Sequence, residues 1–389
     1  MLDKSTIIGV VGSGAMGNGI AQVAATAGHK VVVNDSNAAQ LEKAKKDLRS
    51  SLDKLAEKGK ITKEKADAVF SSVTYSDQLS SFASCGLIIE AIVENIEVKQ
   101  KVFTELEKTV SKDCVLASNT SSLSISSIAS ACADASRVIG IHFFNPATIM
   151  PLVEIIPGTK TSASIVTGTK AIVDSWGKST VLAKDSPGFI VNRVARSFYG
   201  ESIRIAEEQI ADYATIDWAM KEFGGFKMGP FELMDFIGND VNYAVTVAVW
   251  TQLDKDPKFE PSDTQKNLVD NKTFGRKSGK GYYDYSPGAV MPEPKKDMEL
   301  GRDIFMRVIS MLINEAIDTL HLGIATRDDI DTAMTKGVNY PKGLLKWCDD
   351  IGIGNIEETM SSLYEKYDSP RYRLSELLIK NAAENKKFW

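Results

Sequence analysis

A histidine and a glutamate on facing strands can share a proton-transfer task. The imidazole takes the proton, and the carboxylate fixes its tautomer and balances the charge it acquires. The run Val138 to Ile156 offers this pairing, because Val138 to Phe144 and Leu152 to Ile156 are β-branched and aromatic while Asn145-Pro146 and Pro151 interrupt them. Two strands joined by a short polar turn are expected, and a hairpin centred near Thr148 sets His142 opposite Glu154. Taken alone, the hairpin favours a plainer reading, a buried strand histidine beside an edge charge. Other residues must give the pair a purpose.

A glycine-rich turn supplies one. Thr6 to Val11 is an apolar strand, Gly12-Ser13-Gly14-Ala15-Met16-Gly17 follows it directly, and a helix through Ile20, Val23 and Ala24 comes next. Glycine at 12 permits the tight turn, at 14 lets a pyrophosphate approach the backbone, and at 17 lets helix and strand pack closely. The helix N-terminus offers N–H groups and the positive end of its dipole to phosphates. The motif is weak in isolation, but a second strand, Lys30 to Val33, leads here to Asp35, 18 residues beyond Gly17. An acid there accepts from both ribose hydroxyls and repels a 2′-phosphate. Ser36 and Asn37 bring no arginine to receive one, so NAD is expected rather than NADP.

The elements that must position these groups follow from periodicity. Gly86 to Val93 is a nearly unbroken apolar run, as a strand buried on both faces requires, and it ends in Glu94-Asn95. A helix from Glu97 leads to a strand at Cys114 to Ala117, and Ser118-Asn119-Thr120-Ser121-Ser122 stands at its C-terminal end, where open parallel sheets bind ligands. The His142 hairpin then completes a sheet that is parallel first and antiparallel at its edge. Gln40 to Lys60 reads as a long helix with seven cations against four acids; a solvated face explains it, and so would a ligand with several phosphates.

After Ser186-Pro187-Gly188 the pattern turns helical. Phe189 to Ala206 reads as one long amphipathic helix, and little strand signal remains beyond Gly281-Tyr282-Tyr283. A repeat runs through this half at an offset of 114 residues: Arg193, Glu201, Asp217, Gly229 and Asp235 return as Arg307, Glu315, Asp331, Gly343 and Asp349. Asn271, Lys272 and Phe274 return in the same register as Asn385, Lys386 and Phe388, whereas Asn192 becomes Met306 and Gly275 to Tyr285 has no counterpart. The expected architecture is therefore an α/β dinucleotide-binding domain of Rossmann type over 1–184, followed by an all-α domain in two tandem copies. The copies span 185–285 and 298–389, with a linker over 286–297 containing three prolines.

Composition excludes other classes. The 389 residues are 43% hydrophobic and 25% charged, as in soluble globular proteins. No apolar run nears the roughly 20 residues of a membrane span. The N-terminus enters a strand without a visible leader, and a net charge of −5 argues against nucleic acid. Cys85, Cys114, Cys132 and Cys348 lack metal spacing, and three histidines leave no room for a histidine-built metal site. A cytoplasmic, metal-free protein with no membrane partner is expected.

Gly12 to Gly17, Glu90-Ala91-Ile92-Val93-Glu94, Ser118-Asn119-Thr120-Ser121-Ser122-Leu123, His142-Phe143-Phe144-Asn145-Pro146 and Pro187-Gly188-Phe189-Ile190-Val191-Asn192-Arg193 occur in order. Together they resemble the L-3-hydroxyacyl-CoA dehydrogenase family, which includes the 3-hydroxybutyryl-CoA dehydrogenases, from about residue 5 onward. The resemblance implies reversible oxidation of a 3-hydroxyacyl-CoA by NAD, in fatty-acid β-oxidation or related acyl-CoA metabolism. His142 would be the base, Glu154 would orient it, and Ser121 and Asn192 would contact the substrate near the reacting carbon. The implied cofactor residues are Gly12, Ser13, Gly14, Ala15, Met16, Gly17, Asp35, Glu94, Lys99, Asn145 and Lys277. Ser51 and Lys58 would hold the CoA moiety. For Lys277 a solvated turn between Gly275 and Gly279 is an equal reading.

A short acyl chain is the default, with a dicarboxylic one as the alternative. Single-copy members form homodimers through the helical domain, so the second copy would replace a partner, making a monomer with an internal pseudo-dimer; a homodimer of the whole chain stays open. Two competing functions also stay open: a dehydrogenase of free 3-hydroxyacids, and a non-catalytic NAD-binding protein of the same fold.

Overall fold

Short β-branched runs become the strands of the first of two units in the computed structural model, which describes residues 2–389. The first unit ends at Phe189 and the second runs from Ile190 to Trp389. In the first, β1 (Ile8–Val11), α1 (Ala15–Thr26), β2 (Val31–Asn34), α2 (Ala38–Glu57), α3 (Lys63–Ser71) and β3 (Val73–Ser76) come in order. They are followed by β4 (Leu87–Glu90), α4 (Ile96–Thr109), β5 (Val115–Ser118), α5 (Ile125–Ala129), β6 (Val138–Phe143), β7 (Leu152–Pro157), α6 (Ala163–Ser175) and β8 (Ser179–Leu182). All eight strands form one sheet in the order β3-β2-β1-β4-β5-β6-β7-β8.

The strands from β3 across to β6 pair in parallel, and every residue of β1 and β4 is buried, as their nearly continuous apolar character requires. The order turns back between β1 and β4, which opens a ligand crevice at the strands' C-terminal ends. Beneath it Ile8, Val10 and Val33 share a core with Ile20 and Ala24 of α1 and with Leu48 and Leu52 of α2. Each of the isoleucine, valine and leucine side chains contributes about 1.5–3 kcal/mol. The antiparallel pair β6–β7 is not the edge that the sequence suggests, because α6 returns the chain and β8 adds a parallel strand beyond β7. β8 reads Ser-Thr-Val-Leu with Val181 alone buried, which leaves too little apolar signal to mark a strand.

The second unit is helical apart from turns, a linker and the isolated antiparallel bridges Gly275–Lys280 and Lys280–Asp284. Its first half has α7 (Val191–Val194), α8 (Arg196–Glu207), α9 (Tyr213–Gly224), α10 (Pro230–Ile237), α11 (Asn239–Gln252) and α12 (Asp263–Asp270). Its second has α13 (Met298–His321), α14 (Arg327–Gly337), α15 (Leu344–Ile351), α16 (Ile353–Tyr367) and α17 (Glu376–Ala383). The single helix expected from Phe189 to Ala206 is two. Phe189 is left-handed (φ 46°), so the helix starts later, and the chain breaks it again at Ala195. At that break the Asn192 carbonyl oxygen accepts from Arg196 Nε at 3.0 Å.

Helices α9, α10 and α11 begin 114 residues before α14, α15 and α16. Beyond them the spacing changes. The turn after α11 has two left-handed residues, Asp254 and Lys255, where the turn after α16 has only Asp368, and the next helix caps, Ser262 and Ser375, lie 113 apart. The recurrence of Asn271, Lys272 and Phe274 at 385, 386 and 388 is thus a match of letters and not of place. Lys272 and Asn385 hold the same left-handed corner (φ 59° and 47°). Nor is 275–285 wholly without a counterpart. Asp235 accepts from the N–H groups of Tyr282 and Tyr283, and Asp349 accepts from those of Phe388 and Trp389. Tyr283 Oη then donates to Asp217 as Trp389 Nε1 does to Asp331, so only the glycine-bounded loop carrying Lys277 is missing.

Two ion pairs join the halves reciprocally. Arg193 Nε meets Glu315 Oε1 at 2.7 Å, and Arg307 Nε meets Glu201 Oε1 at 2.6 Å. Among the described residues no helix is long and apolar enough to cross a membrane, and no group of His, Cys, Asp or Glu could hold a metal ion.

Candidate active site

The hairpin register puts His142 across from Glu154, and both side chains are drawn inward. His142 Nδ1 lies 2.7 Å from Glu154 Oε2, with the ring 5% exposed and the carboxylate wholly buried. A carboxylate accepts, so the Nδ1 proton sits in that contact and Nε2 keeps its lone pair. Phe144 and Phe189 stand beside the ring, their centroids 4.5 and 5.8 Å away. The Phe143 N–H on the same strand donates to Asn119 Oδ1, which ties β6 to the serine-rich loop after β5.

That loop is organised by Glu94. Its Oε1 accepts from Thr120 Oγ1 (2.5 Å), the Ser121 N–H (2.9 Å) and both the N–H and hydroxyl of Ser122 (3.1 and 3.0 Å). Burial raises the Glu94 carboxyl, but Lys99 and the Thr120 and Ser122 hydroxyls outweigh it and hold the group below the usual carboxylate range. Lys99 itself is only 1% exposed, and its ammonium is taken up by Glu90 (2.6 Å) and Glu94 (3.3 Å). It therefore stands behind the loop, bonded to the carboxylate that organises it.

Glu90 and Ser118, which stand outside the expected site residues, belong to the same buried network. Glu90 is fully buried and bonds Lys99, the Ile92 N–H and Ser118 Oγ. The signal was present in the sequence, since an acid inside the apolar run Gly86 to Val93 must find a buried cation.

The glycine turn after β1 has the space a dinucleotide needs. Gly12 is left-handed (φ +95°), and a Cβ there would meet the Ala91 carbonyl oxygen at 2.6 Å; a Cβ on Gly17 would stand 1.9 Å from the Gly12 oxygen. At Gly14 nothing lies within 4 Å, and no side chain caps α1, so Ala15 and Met16 open the helix toward that space. Asp35 accepts from Ser13 N and Oγ, both at 2.9 Å, which places its carboxylate at the turn's rim. The residues fit a pyrophosphate and a ribose.

Ser51 and Lys58 line a cavity of about 840 Å³ in the same unit, together with Lys54, Lys60 and Lys178. Ser51 Oγ donates to Gln22, and Lys178 donates to the carbonyl oxygens of Ala147 and Met150. Asn145 is exposed just past the end of β6. Asn192 and Lys277 belong to the other unit. There Lys277 pairs with Asp240 at 2.6 Å and stands over the Phe274 ring, on a loop that stays exposed.

A parallel sheet with this turn, this acid and a buried histidine–glutamate pair defines an NAD-dependent dehydrogenase. The family model described as "3-hydroxyacyl-CoA dehydrogenase, NAD binding domain" matches residues 7–186, and "3-hydroxyacyl-CoA dehydrogenase, C-terminal domain" matches 188–285 and 304–388. The 3-hydroxyadipyl-CoA dehydrogenase of Escherichia coli K12 is 34% identical over 98% of each chain. The human mitochondrial hydroxyacyl-coenzyme A dehydrogenase is 44% identical over 71% of this chain and 90% of its own. A crystal structure of a 3-hydroxybutyryl-CoA dehydrogenase from Escherichia coli K12 superposes with a TM-score of 0.92 at 33% identity, covering 99% of both chains. The chain belongs to the 3-hydroxyacyl-CoA dehydrogenase family, and NAD is its cofactor.

Proposed function

We propose that His142 is the base in the reversible oxidation of an L-3-hydroxyacyl-CoA to the 3-ketoacyl-CoA. The observation that carries this is the 2.7 Å contact between His142 Nδ1 and Glu154 Oε2 inside a buried hairpin. Nε2 takes the hydroxyl proton, and Glu154 stabilises the imidazolium that results. NAD, when bound, accepts the hydrogen that leaves C3 with its electron pair. Ser121, held through its N–H by Glu94, and Asn192 position the oxygen at the reacting carbon. Gly12 to Gly17, Asp35, Glu94, Asn145 and Lys277 serve the cofactor, with Lys99 acting through Glu94. Ser51 and Lys58 hold the CoA moiety, and the neighbouring Lys54, Lys60 and Lys178 support that reading, since they bring positive charge to one cavity.

The 3-hydroxybutyryl-CoA relative supports a short acyl chain, and the 3-hydroxyadipyl-CoA relative supports a short chain that ends in a carboxylate. The four free cysteines support a reducing, cytoplasmic compartment. Following NADH oxidation with acetoacetyl-CoA tests the activity; absence of turnover would refute it. CoA should also raise the unfolding temperature, whereas a dehydrogenase of free acids would show no such shift.

Asp35→Asn is expected to erode the preference for NAD over NADP by weakening both ribose contacts and the repulsion of a 2′-phosphate. Equal kcat/KM ratios for the two cofactors in variant and parent would remove Asp35 from that role.

The helical half is read as one domain written twice, 185–285 and 298–389, joined by 286–297 and following a dinucleotide domain over 1–184. The reciprocal Arg193–Glu315 and Arg307–Glu201 pairs support this, since a two-fold contact between identical domains makes each bond twice. On that reading the chain sediments as a monomer. A chain ending at Asp297 should dimerise or aggregate through the uncovered face of α8. A full-length dimer held by the α8 face would contradict it.

A further inference from the structure

The second unit contains five buried cations, and four of them meet carboxylates. Arg193 and Lys258 pair with Glu315, and Arg307 and Arg371 pair with Glu201. Arg196, 7% exposed, is the exception: among the described residues no Asp or Glu pairs with it. Its Nε donates to the Asn192 carbonyl oxygen (3.0 Å), and Nη1 donates to the Asn242 carbonyl oxygen (3.2 Å) and Thr246 Oγ1 (3.1 Å). Its Cζ stands 4.9 Å from the centre of the Tyr199 ring. Burial pushes the guanidinium below its ordinary value, and only the phenols of Tyr199 and Tyr340 oppose that. A buried cation surrounded by carbonyls and hydroxyls but no anion is costly to keep.

The other half of the unit shows that the fold does not require it. At the positions 114 residues on, Asn192, Arg196, Asn242 and Thr246 are replaced by Met306, Ser310, Ile356 and Met360. Gln265, which bridges the side chains of Asn239 and Asn242, has Leu378 in its place once the 113-residue spacing of that segment is followed. Asn239 gives way to Ile353. The arginine–glutamate pairs are kept in both halves, whereas this polar network exists in the first alone and ends at Asn192.

We propose that Arg196 receives the terminal carboxylate of a dicarboxylic acyl chain, so that the preferred substrates are 3-hydroxydicarboxylyl-CoA thioesters of about six carbons. This rests on the reading of Asn192 as a contact to the reacting end of the substrate. Asn192 and Arg196 stand on either side of the break at Ala195, and the guanidinium turns back so that its Nε lies 3.0 Å from the Asn192 carbonyl oxygen. A six-carbon chain carries its carboxylate three bonds beyond the reacting carbon, which suits a charge-assisted hydrogen bond of about 2.8 Å to a guanidinium beside Asn192. A planar guanidinium suits a carboxylate better than an ammonium would.

Steady-state NADH oxidation with acetoacetyl-CoA and with 3-oxoadipyl-CoA tests the assignment. The parent protein should favour the carboxylate-ended substrate in kcat/KM. Arg196→Gln should lower the ratio of the two kcat/KM values about a hundredfold, chiefly through KM, and Arg196→Lys should restore part of it. Unfolding temperatures, read without turnover, should rise more with adipyl-CoA than with hexanoyl-CoA in the parent, and equally with both in Arg196→Gln. A parent that prefers acetoacetyl-CoA, or is protected equally by the two acyl-CoAs, overturns the proposal even if neither variant folds. Equal losses on both substrates would make Arg196 a tie between α8 and α11 and nothing more. No turnover of either substrate by the parent would overturn the reading of the whole site, and this assignment with it.

Discussion

His142→Gln is expected to lower turnover by about 10²–10⁴-fold, the range for loss of a general base, while leaving NAD affinity as it was. Glutamine fills most of the ring's volume between Phe144 and Phe189 and can still donate to Glu154, so the hairpin should keep its register. It has no basic nitrogen to receive the hydroxyl proton. The glycine turn and Asp35 lie on β1, α1 and the end of β2 and do not depend on the imidazole. Near-parental kcat in a folded variant would take the histidine out of the mechanism. Cofactor affinity, read by quenching of protein fluorescence on titration with NADH, separates lost chemistry from lost binding.

The largest effect on stability is expected at Glu201. This carboxylate is fully buried and accepts from Arg307 (2.6 Å), Arg371 (3.1 Å) and Tyr372 Oη (2.9 Å). Glu201→Gln removes the charge and leaves Arg371 with carbonyl oxygens only, which should cost about 3–5 kcal/mol in urea unfolding. Burial raises the Glu201 carboxyl, but Arg371 and Arg307 outweigh it, so its folded value lies below the ordinary one. A depressed carboxylate stabilises the fold above its unfolded pKa of about 4.3, and that contribution fades as pH falls through the folded value. The parent should therefore lose stability on acidification more steeply than the variant. Parallel stability curves below about pH 4.3 would show that Glu201 is not the group responsible.

Much of this was legible in the chain. The His142–Glu154 pairing follows from a period of two on either side of a turn, and the nucleotide site from glycines whose Cβ atoms would strike backbone at 12 and 17. What escaped was set by tertiary context. β8 buries only Val181 and so lacks an apolar run, and the break at Ala195 leaves no trace in an amphipathic pattern that continues through it. The shift from 114 to 113 is one left-handed residue in a turn, hidden because chance identities at 271, 272 and 274 mimicked an unbroken register. Glu90 is hard to single out because an apolar strand absorbs one acid without losing its pattern, although burying that acid demands Lys99.

The reciprocal Arg193–Glu315 and Arg307–Glu201 bonds join two stretches of one polypeptide. Their meeting is unimolecular, at an effective concentration of about millimolar that the tether sets and the solution does not. Halves carried on separate chains drift apart when diluted; these cannot. On the reading of the two halves as one domain written twice, specific activity should stay level down to nanomolar enzyme, and neither half need match a copy of itself, which leaves one able to lose polar groups that the other keeps.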